Sequence, residues 1–475
     1  MTTWLPDLTG KSGPIYLQLA DAIEEAIENG ALPAGQKLPP QRNLAYDLKV
    51  TIGTIGRAYA LAYERGLVSG EVGRGTYVLD RERHKNAPPA YSSDGIAGTR
   101  LQEAPPDKIR LDTTAAPDIG QHKILEPIFT SILHNYPHEV GNYTRYIPQH
   151  WQEAGRQWLQ MGGGSRNEAI DLETIVVTNG AHAAAMAVIS AFTAPGDRIV
   201  FEDLTYTQIS RAVRLIGRRT AIALSDEHGM IPDEFERICN QQHPTMAFLM
   251  PSVHNPTLAV MPLERRKAIA EIAARHNVWL IEDDTYGIMT PSGIPKMADI
   301  APERTFLTGS LSKAVSAGLR CGWVACPPHC AQRVHVTHKL MTGGISFVLA
   351  ETTAQLVLSG QAETLRAQCA EEIAWREKLA RTIFAGHEFV SSPYVPILWL
   401  KLPEPWLTGT FKTAAYENGL LIDDEDEFKA GRGERTYHRV RIAFSSPTDR
   451  KKVENGFITL RHLLENGHAG YEGSN

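Results

Sequence analysis

The sequence predicts an α/β protein: a mostly parallel central sheet with helices on both faces, preceded by a small helix-turn-helix module with a β wing. Three observations carry this. From Ile109 onward, short β-rich runs alternate with helical runs, the pattern of strands joined by helical crossovers. Ahead of them, three helical patterns separated by tight breaks occupy the first 65 residues. Between the two regions, residues 81–108 carry charges, Pro88-Pro89, Ser92-Ser93, Gly95, Gly98 and Pro105-Pro106 with no sustained periodicity, as an extended linker does.

Residues 14–29 place Ile15, Leu19, Ala22, Ile23, Ala26 and Ile27 at helical spacing, with Gly30 where a helix would end. After Gly35 and the Leu38-Pro39-Pro40 break, a short helical run from Gln41 to Leu48 meets a tight turn. Thr51 then caps a third helix reaching Arg65. Beyond Gly66, Leu67-Val68-Ser69 and Thr76-Tyr77-Val78 are two β-prone pieces around Gly70, Gly73 and Gly75, which suits a hairpin wing. In the larger region, strands are expected at 174–178, 198–201, 245–250, 278–282 and 305–308. No internal repeat is present, and 466–475 reads as a flexible tail. The domains expected are thus 10–79, a linker over 80–108, and 109–465.

The 475 residues are 43% hydrophobic and 21% charged, with 48 Lys+Arg against 54 Asp+Glu and a net charge of −6. This is a globular composition, long enough for two or more domains and unlike a polybasic binder. No apolar run reaches the roughly 18–20 residues of a membrane span, and Met1 to Pro6 lacks a leader's charged and apolar regions, so a cytoplasmic location is expected. Five cysteines make no disulfide framework. Cys321 and Cys326 flank Gly-Trp-Val-Ala, a buried-strand pattern, and no fourth ligand accompanies them and Cys330, so they read as small core residues rather than metal ligands.

Chemistry concentrates in Thr308-Gly309-Ser310-Leu311-Ser312-Lys313, followed seven residues later by Arg320. A lysine ε-amine condenses with aldehydes, and neighbouring hydroxyls and a guanidinium hold a phosphate dianion. Upstream lie Asn255-Pro256-Thr257 and Glu282-Asp283-Asp284-Thr285-Tyr286. In this order the segments resemble the fold-type I aminotransferases, a resemblance that covers about 109–465. It implies pyridoxal 5'-phosphate as cofactor, held as an aldimine on Lys313, and a small C-terminal α+β subdomain.

The resemblance further implies Asp283 beside the pyridine nitrogen, Asn255 and Tyr286 on the phenolic oxygen, and Tyr206 stacked on the ring. It places the phosphate among Gly180, Ala181 and His182 at a helix N-terminus, Ser310, Ser312 and Arg320, with Tyr146 arriving from a second subunit. Relatives commonly have Ser-Gln or Ser-Thr where this chain has Ala181-His182, which removes one hydroxyl; His182 either donates in its place or only caps the helix. Arg441, in Val440-Arg441-Ile442-Ala443-Phe444, matches the arginine that forks a substrate carboxylate. Read without the family, an arginine flanked by apolar residues in a strand could be a structural ion pair.

Residues 10–79 resemble the GntR-type winged helix-turn-helix, on Pro14 to Leu19, Gly35, Leu38-Pro39-Pro40-Gln41-Arg42, Leu44-Ala45, Val50-Thr51, Thr54-Ile55, Arg57-Ala58-Tyr59, Gly66-Leu67 and Gly73-Arg74-Gly75-Thr76. This implies double-stranded DNA contacts from Arg42, Thr51, Thr54, Arg57 and Arg74. Ile52 stands where many relatives carry arginine, and residues 1–80 hold seven Lys/Arg against nine Asp/Glu, 7 − 9 = −2. Together the two halves resemble the MocR-type transcriptional regulators. A homodimeric DNA-binding regulator sensing an amino acid or related amine is the reading this implies. The same residues would serve a working aminotransferase transferring an amino group to a 2-oxo acid, or a regulator that senses the cofactor itself.

Overall fold

The structure is a computed structural model that describes residues 4–6, 8, 14–33, 35–64, 67–71, 75–78, 108–161, 169–291, 293–431 and 435–466. The chain divides into two compact units, Met1–Glu103 and Ala104–Asn475. The expected linker up to residue 107 and the tail from 467 lie outside the described residues. Lys108 is tied into the second unit, its Nζ donating to the Tyr416 carbonyl at 2.8 Å.

In the first unit, helix α1 (Ile15–Glu28) buries Leu19, Ala22, Ile23 and Ala26, the stripe its periodicity marks out. Helix α2 (Gln41–Asp47) starts directly after Pro40, whose ring cannot supply an interior N–H. Helix α3 (Ile52–Glu64) is opened by Thr51, whose Oγ1 accepts the Thr54 N–H at 3.2 Å. Leu44, Ile55, Ala58, Ala62, Leu67, Val68 and Val78 close one small core with α1. The Tyr59 hydroxyl, buried in it, donates to the Pro39 carbonyl at 2.7 Å. Strands β1 (Val68–Glu71) and β2 (Gly75–Val78) pair antiparallel as the wing, Val68 opposite Val78 and Glu71 opposite Gly75. The tip, including Arg74, lies outside the described residues.

The second unit is built on a seven-stranded sheet in the order Ile175–Thr178, Gly322–Ala325, Thr305–Ser310, Trp279–Asp283, Met246–Leu249, Arg198–Glu202, Arg219–Ala223. Every neighbouring pair is parallel except the two made by Gly322–Ala325. Side chains alternate across it. Ile199, Phe201, Phe248 and Ile281 pack against helix Ala181–Phe192 on one face. Val200, Ala247, Leu249 and Leu280 pack against helices Pro232–Gln242 and Leu263–Arg275 on the other.

Four of the expected strands recur within one or two residues of their predicted ends, and the fifth, expected at 305–308, extends to Ser310. Arg219–Ala223 escaped the pattern reading because it is an edge strand, short and half-exposed at its polar start. A second, antiparallel sheet orders Phe389–Ser392, Val395–Lys401, Arg439–Ala443 and Asp423–Asp424. Helices Gln361–Ile383 and Arg450–Asn466 share its core through Ile373, Ala380, Val453, Phe457 and Leu460. All five cysteines are buried and unbridged.

Candidate functional site at the carboxyl edge of the parallel sheet

Parallel strands deliver their carboxyl ends to one edge, and the predicted site residues sit there because each follows a strand. Asp283 ends Trp279–Asp283, Ser310 ends Thr305–Ser310, Asn179-Gly180 follows Ile175–Thr178, and Asn255 lies beyond Met246–Leu249. They meet around a cavity of about 230 Å³. Its lining includes Ala181, His182, Tyr206, Asn255, Asp283, Tyr286, Ser310, Ser312, Lys313, Arg320 and Arg441, every residue assigned to this pocket from the sequence except Gly180 and Tyr146. Gly180 lies just beneath, and Tyr146 is 63% exposed on its own chain.

Lys313 lines the cavity, its Nζ donating to Thr114 Oγ1 at 3.0 Å. Tyr286 donates its hydroxyl to the same Thr114 oxygen at 2.6 Å. Burial depresses the Lys313 amine to about 8, helped by Arg441 and Arg320 and opposed by Asp283. A larger share of this amine is therefore neutral near pH 7 than in an ordinary lysine, and only a neutral amine attacks a carbonyl carbon. Burial also pushes the Tyr286 phenol up to about 12.

At one end of the cavity, Asp283 accepts the Thr285 N–H at 3.1 Å and the Thr285 hydroxyl. Burial raises its pKa against those bonds, so the carboxylate sits where a cationic N–H partner would be strongly held. Its neighbours take other work. Glu282 accepts the Met297 and Ala298 N–H groups, each at 3.0 Å, and Asp284 is paired at 2.7 Å with the buried Lys296. Of the acidic run only the middle member faces the cavity.

Another part of the lining is built for an anion. Helix Ala181–Phe192 begins there with no side chain capping its N–H groups, which leaves those donors and the positive end of the helix dipole facing the pocket. Gly180 makes the turn at φ 91°, and a side chain placed on it would come within 3.7 Å of the Arg320 guanidinium. Gly322 permits the close approach of strands behind: a Cβ there would lie 2.5 Å from the Gly309 carbonyl. His182, whose pKa burial and then Arg320 lower, stays neutral, and its Nδ1 is buried without a partner. Its ring meets Tyr206 edge-on, centroids 6.1 Å apart.

Arg441 differs from its expected open fork. Nη1 donates to Asn255 Oδ1 at 3.0 Å, and Nη2 donates to the Asp112 carbonyl at 2.7 Å and to the Asp423 carboxylate. Nε is buried and unpartnered. The ion-pair reading of this arginine is therefore realised, and the carboxylate grip predicted from the family is not free in this arrangement. Asn255 likewise spends its carbonyl on Arg441, leaving its amide N–H₂ for the pocket. Sequence reasoning missed Thr114, Asp112, Thr285 and Asp423. Thr285 stands within the Glu282–Tyr286 segment without having been given a role; the other three belong to no motif, and only the fold carries Thr114 and Asp423 to Lys313 and Arg441.

A pyridine ring bearing an aldehyde, an acidic hydroxyl and a phosphate needs an anion site, a buried carboxylate for its nitrogen and an amine between them. The uncapped helix with Arg320, the buried Asp283 and the depressed Lys313 amine are that donor set, so the residues present fit pyridoxal phosphate.

On the first unit, Arg42, Thr51 and Arg57 are exposed and Thr54 is half-buried, its Oγ1 2.9 Å from that of Thr51. Ile52, at the start of α3, is 50% exposed beside them. These side chains belong to α2, α3 and the turn joining them.

The fold and the cavity define the class as a fold-type I pyridoxal phosphate protein. The chain belongs to the aminotransferase class I and II family, whose match spans residues 106–405, and residues 15–78 match the gntR family of bacterial regulatory proteins. That pairing is the MocR-type architecture. YdeF, an uncharacterized HTH-type transcriptional regulator of Bacillus subtilis strain 168, is 28% identical over 98% of this chain and 97% of its own length. PtsJ, named as the vitamin B6 salvage pathway transcriptional repressor of Salmonella typhimurium strain LT2, is 25% identical over 91% and 94% respectively. Among solved structures, the alpha-aminoadipate aminotransferase LysN of Thermus thermophilus, complexed with N-(5'-phosphopyridoxyl)-L-leucine, superposes with a TM-score of 0.67. It covers 76% of this chain and 92% of that one at 20% identity, a likeness of fold.

Proposed function

We propose that this protein is a pyridoxal-phosphate-dependent transcriptional regulator whose second unit senses an amino acid or related amine and whose first unit binds double-stranded DNA. The observation that supports it most is a cavity equipped for the cofactor in a chain that also carries a gntR-family module, as its regulator relatives do along nearly their whole length. When bound, pyridoxal phosphate supplies an aldehyde for amine condensation and a ring that withdraws electrons. Lys313 holds its amine ready in the cavity. Asp283 keeps a negative charge at the ring-nitrogen end, Asn255 offers its amide N–H₂ on the flank, and Tyr286 joins it there once its O–H turns away from Thr114. Ala181 and His182, with Gly180 turning the chain beneath them, join Ser310, Ser312 and Arg320 in holding the phosphate. Tyr206 covers one ring face. Tyr146, exposed on its own chain, reaches the site of a second copy in a homodimer. Two modules in one dimer suit paired half-sites, and Arg42, Thr51, Thr54, Arg57 and Arg74 make the DNA contacts.

The test is the affinity of the loaded protein for DNA upstream of its own gene at fixed salt, against Lys313→Ala and unrelated DNA. Sequence-specific binding that changes with Lys313→Ala or with an added amine is expected. No preference over unrelated DNA, together with steady transfer of an amino group to a 2-oxo acid, would overturn the regulator in favour of an aminotransferase. The vitamin B6 repressor among the relatives supports a second reading, in which the cofactor is itself the signal; a DNA response of Lys313→Ala to added cofactor would favour it.

A further inference from the structure

Arg441, the cavity residue expected to grip a ligand's acid group, is already engaged by a carboxylate of the chain's own, Asp423. Arg441 has five N–H bonds. Both hydrogens of Nη2 are spent, one on the Asp112 carbonyl and one on Asp423. Nη1 gives one to Asn255, and the buried Nε–H has no partner. A carboxylate grips a guanidinium by two parallel bonds along one edge, either Nη1 with Nη2 or Nε with Nη2. Both edges pass through Nη2, which is full. The Phe428 ring, 4.6 Å from the guanidinium carbon, covers one face.

The pairing is also built into the backbone. Asp423 and Arg441 stand directly opposite each other on neighbouring antiparallel strands, and both are buried. Cross-strand partners of this kind are held in register by the ladder rather than by a chance rotamer.

We propose that Asp423 is a specificity-determining residue that keeps the Arg441 fork closed, so that the pocket takes primary amines without a carboxylate in preference to amino acids. This rests on the reading of the cavity as an amine-sensing cofactor site. An amino acid must either displace Asp423, stranding a buried carboxylate, or bring a second negative charge against it. An amine without an acid group leaves the Asp423–Arg441 pair intact and needs only the amine of Lys313. Nε–H remains as a single donor, suited to a neutral hydroxyl or carbonyl on such a ligand.

The test titrates cofactor-loaded, full-length protein with matched pairs, alanine against ethylamine and lysine against 1,5-diaminopentane, following the visible absorbance of the cofactor. In the wild type the amine of each pair binds at least as tightly as the amino acid. In Asp423→Ala the amino acids gain about tenfold or more relative to their amines, as expected for a freed charge-assisted fork. Asp423→Asn, which keeps the shape and removes the charge, shifts the ratio in the same direction and decides the matter if the alanine variant unfolds. Amino acids binding much more tightly than their amines in the wild type, or a ratio unchanged in Asp423→Asn, would overturn the role of Asp423. A spectrum that no amine and no amino acid alters would overturn the amine-sensing site itself, and this inference with it.

Discussion

The ionisation of Lys313 gives the sharpest quantitative test of the site. Burial, Arg441 and Arg320 together outweigh Asp283 and bring the amine to about 8. At pH 7 about one in ten such amines is neutral, against roughly one in three thousand for an ordinary lysine. The reaction of Lys313 with limiting acetic anhydride should therefore rise about tenfold between pH 7 and pH 9 and then level off. An unshifted amine would rise about a hundredfold over that span without levelling. The assay is cofactor-free protein, pulse-labelled across the pH range, digested and quantified at Lys313 by mass spectrometry with an exposed lysine as internal control. The causes are separable: Asp283→Asn should lower the midpoint, and Arg441→Met should raise it. A midpoint near that of the exposed control would refute the reasoning. The linkage to stability has a definite sign. The folded amine binds fewer protons than the unfolded one between about 8 and 10.5. Its destabilising contribution is therefore complete below about 8 and disappears as pH rises through that window.

Other expectations concern packing, the buried charges and the DNA module. In Lys296→Met, Asp284 loses its buried cation and the Leu159 and Met161 carbonyls lose their donor, which should cost about 3–5 kcal/mol in denaturant unfolding; a loss well under 1 kcal/mol would contradict the account. Gly155→Ala would set a Cβ 2.4 Å from Trp323 Cδ1 in the core, and calorimetry should register a destabilisation of about 1–3 kcal/mol. Arg57→Ala should weaken binding to all DNA sequences alike and flatten the salt dependence by about one unit of log–log slope; an unchanged slope would remove Arg57 from the phosphate contacts. Ile52→Arg, adding a positive charge at the exposed start of α3, should steepen that slope by a similar amount.

Much of this was legible before any tertiary contact was known, and the reasons are local. Leu19, Ile23 and Ala26 repeat at helical spacing, Thr51 is a cap, and Pro40 can only open a helix, so the first unit could be read residue by residue. Asp283, Lys313 and Arg320 belong to short segments whose order along the chain resembles that of the fold-type I aminotransferases, and the resemblance names their roles. The edge strand Arg219–Ala223 was not legible, because half its face meets water and alternation is lost in five residues.

Periodicity and capping already carried the two-part organisation and the parallel sheet, while most groups around the cavity were named through the resemblance of short segments to the fold-type I aminotransferases. Tertiary structure alone decided how those groups are engaged. It brought Thr114, from far upstream, between Lys313 and Tyr286, and it turned only Asp283 of three adjacent acids toward the pocket. It also set Asp423 opposite Arg441, converting an expected ligand clamp into an internal ion pair. Strand register and long-range pairing are properties of the folded chain, and no local pattern of residues contains them.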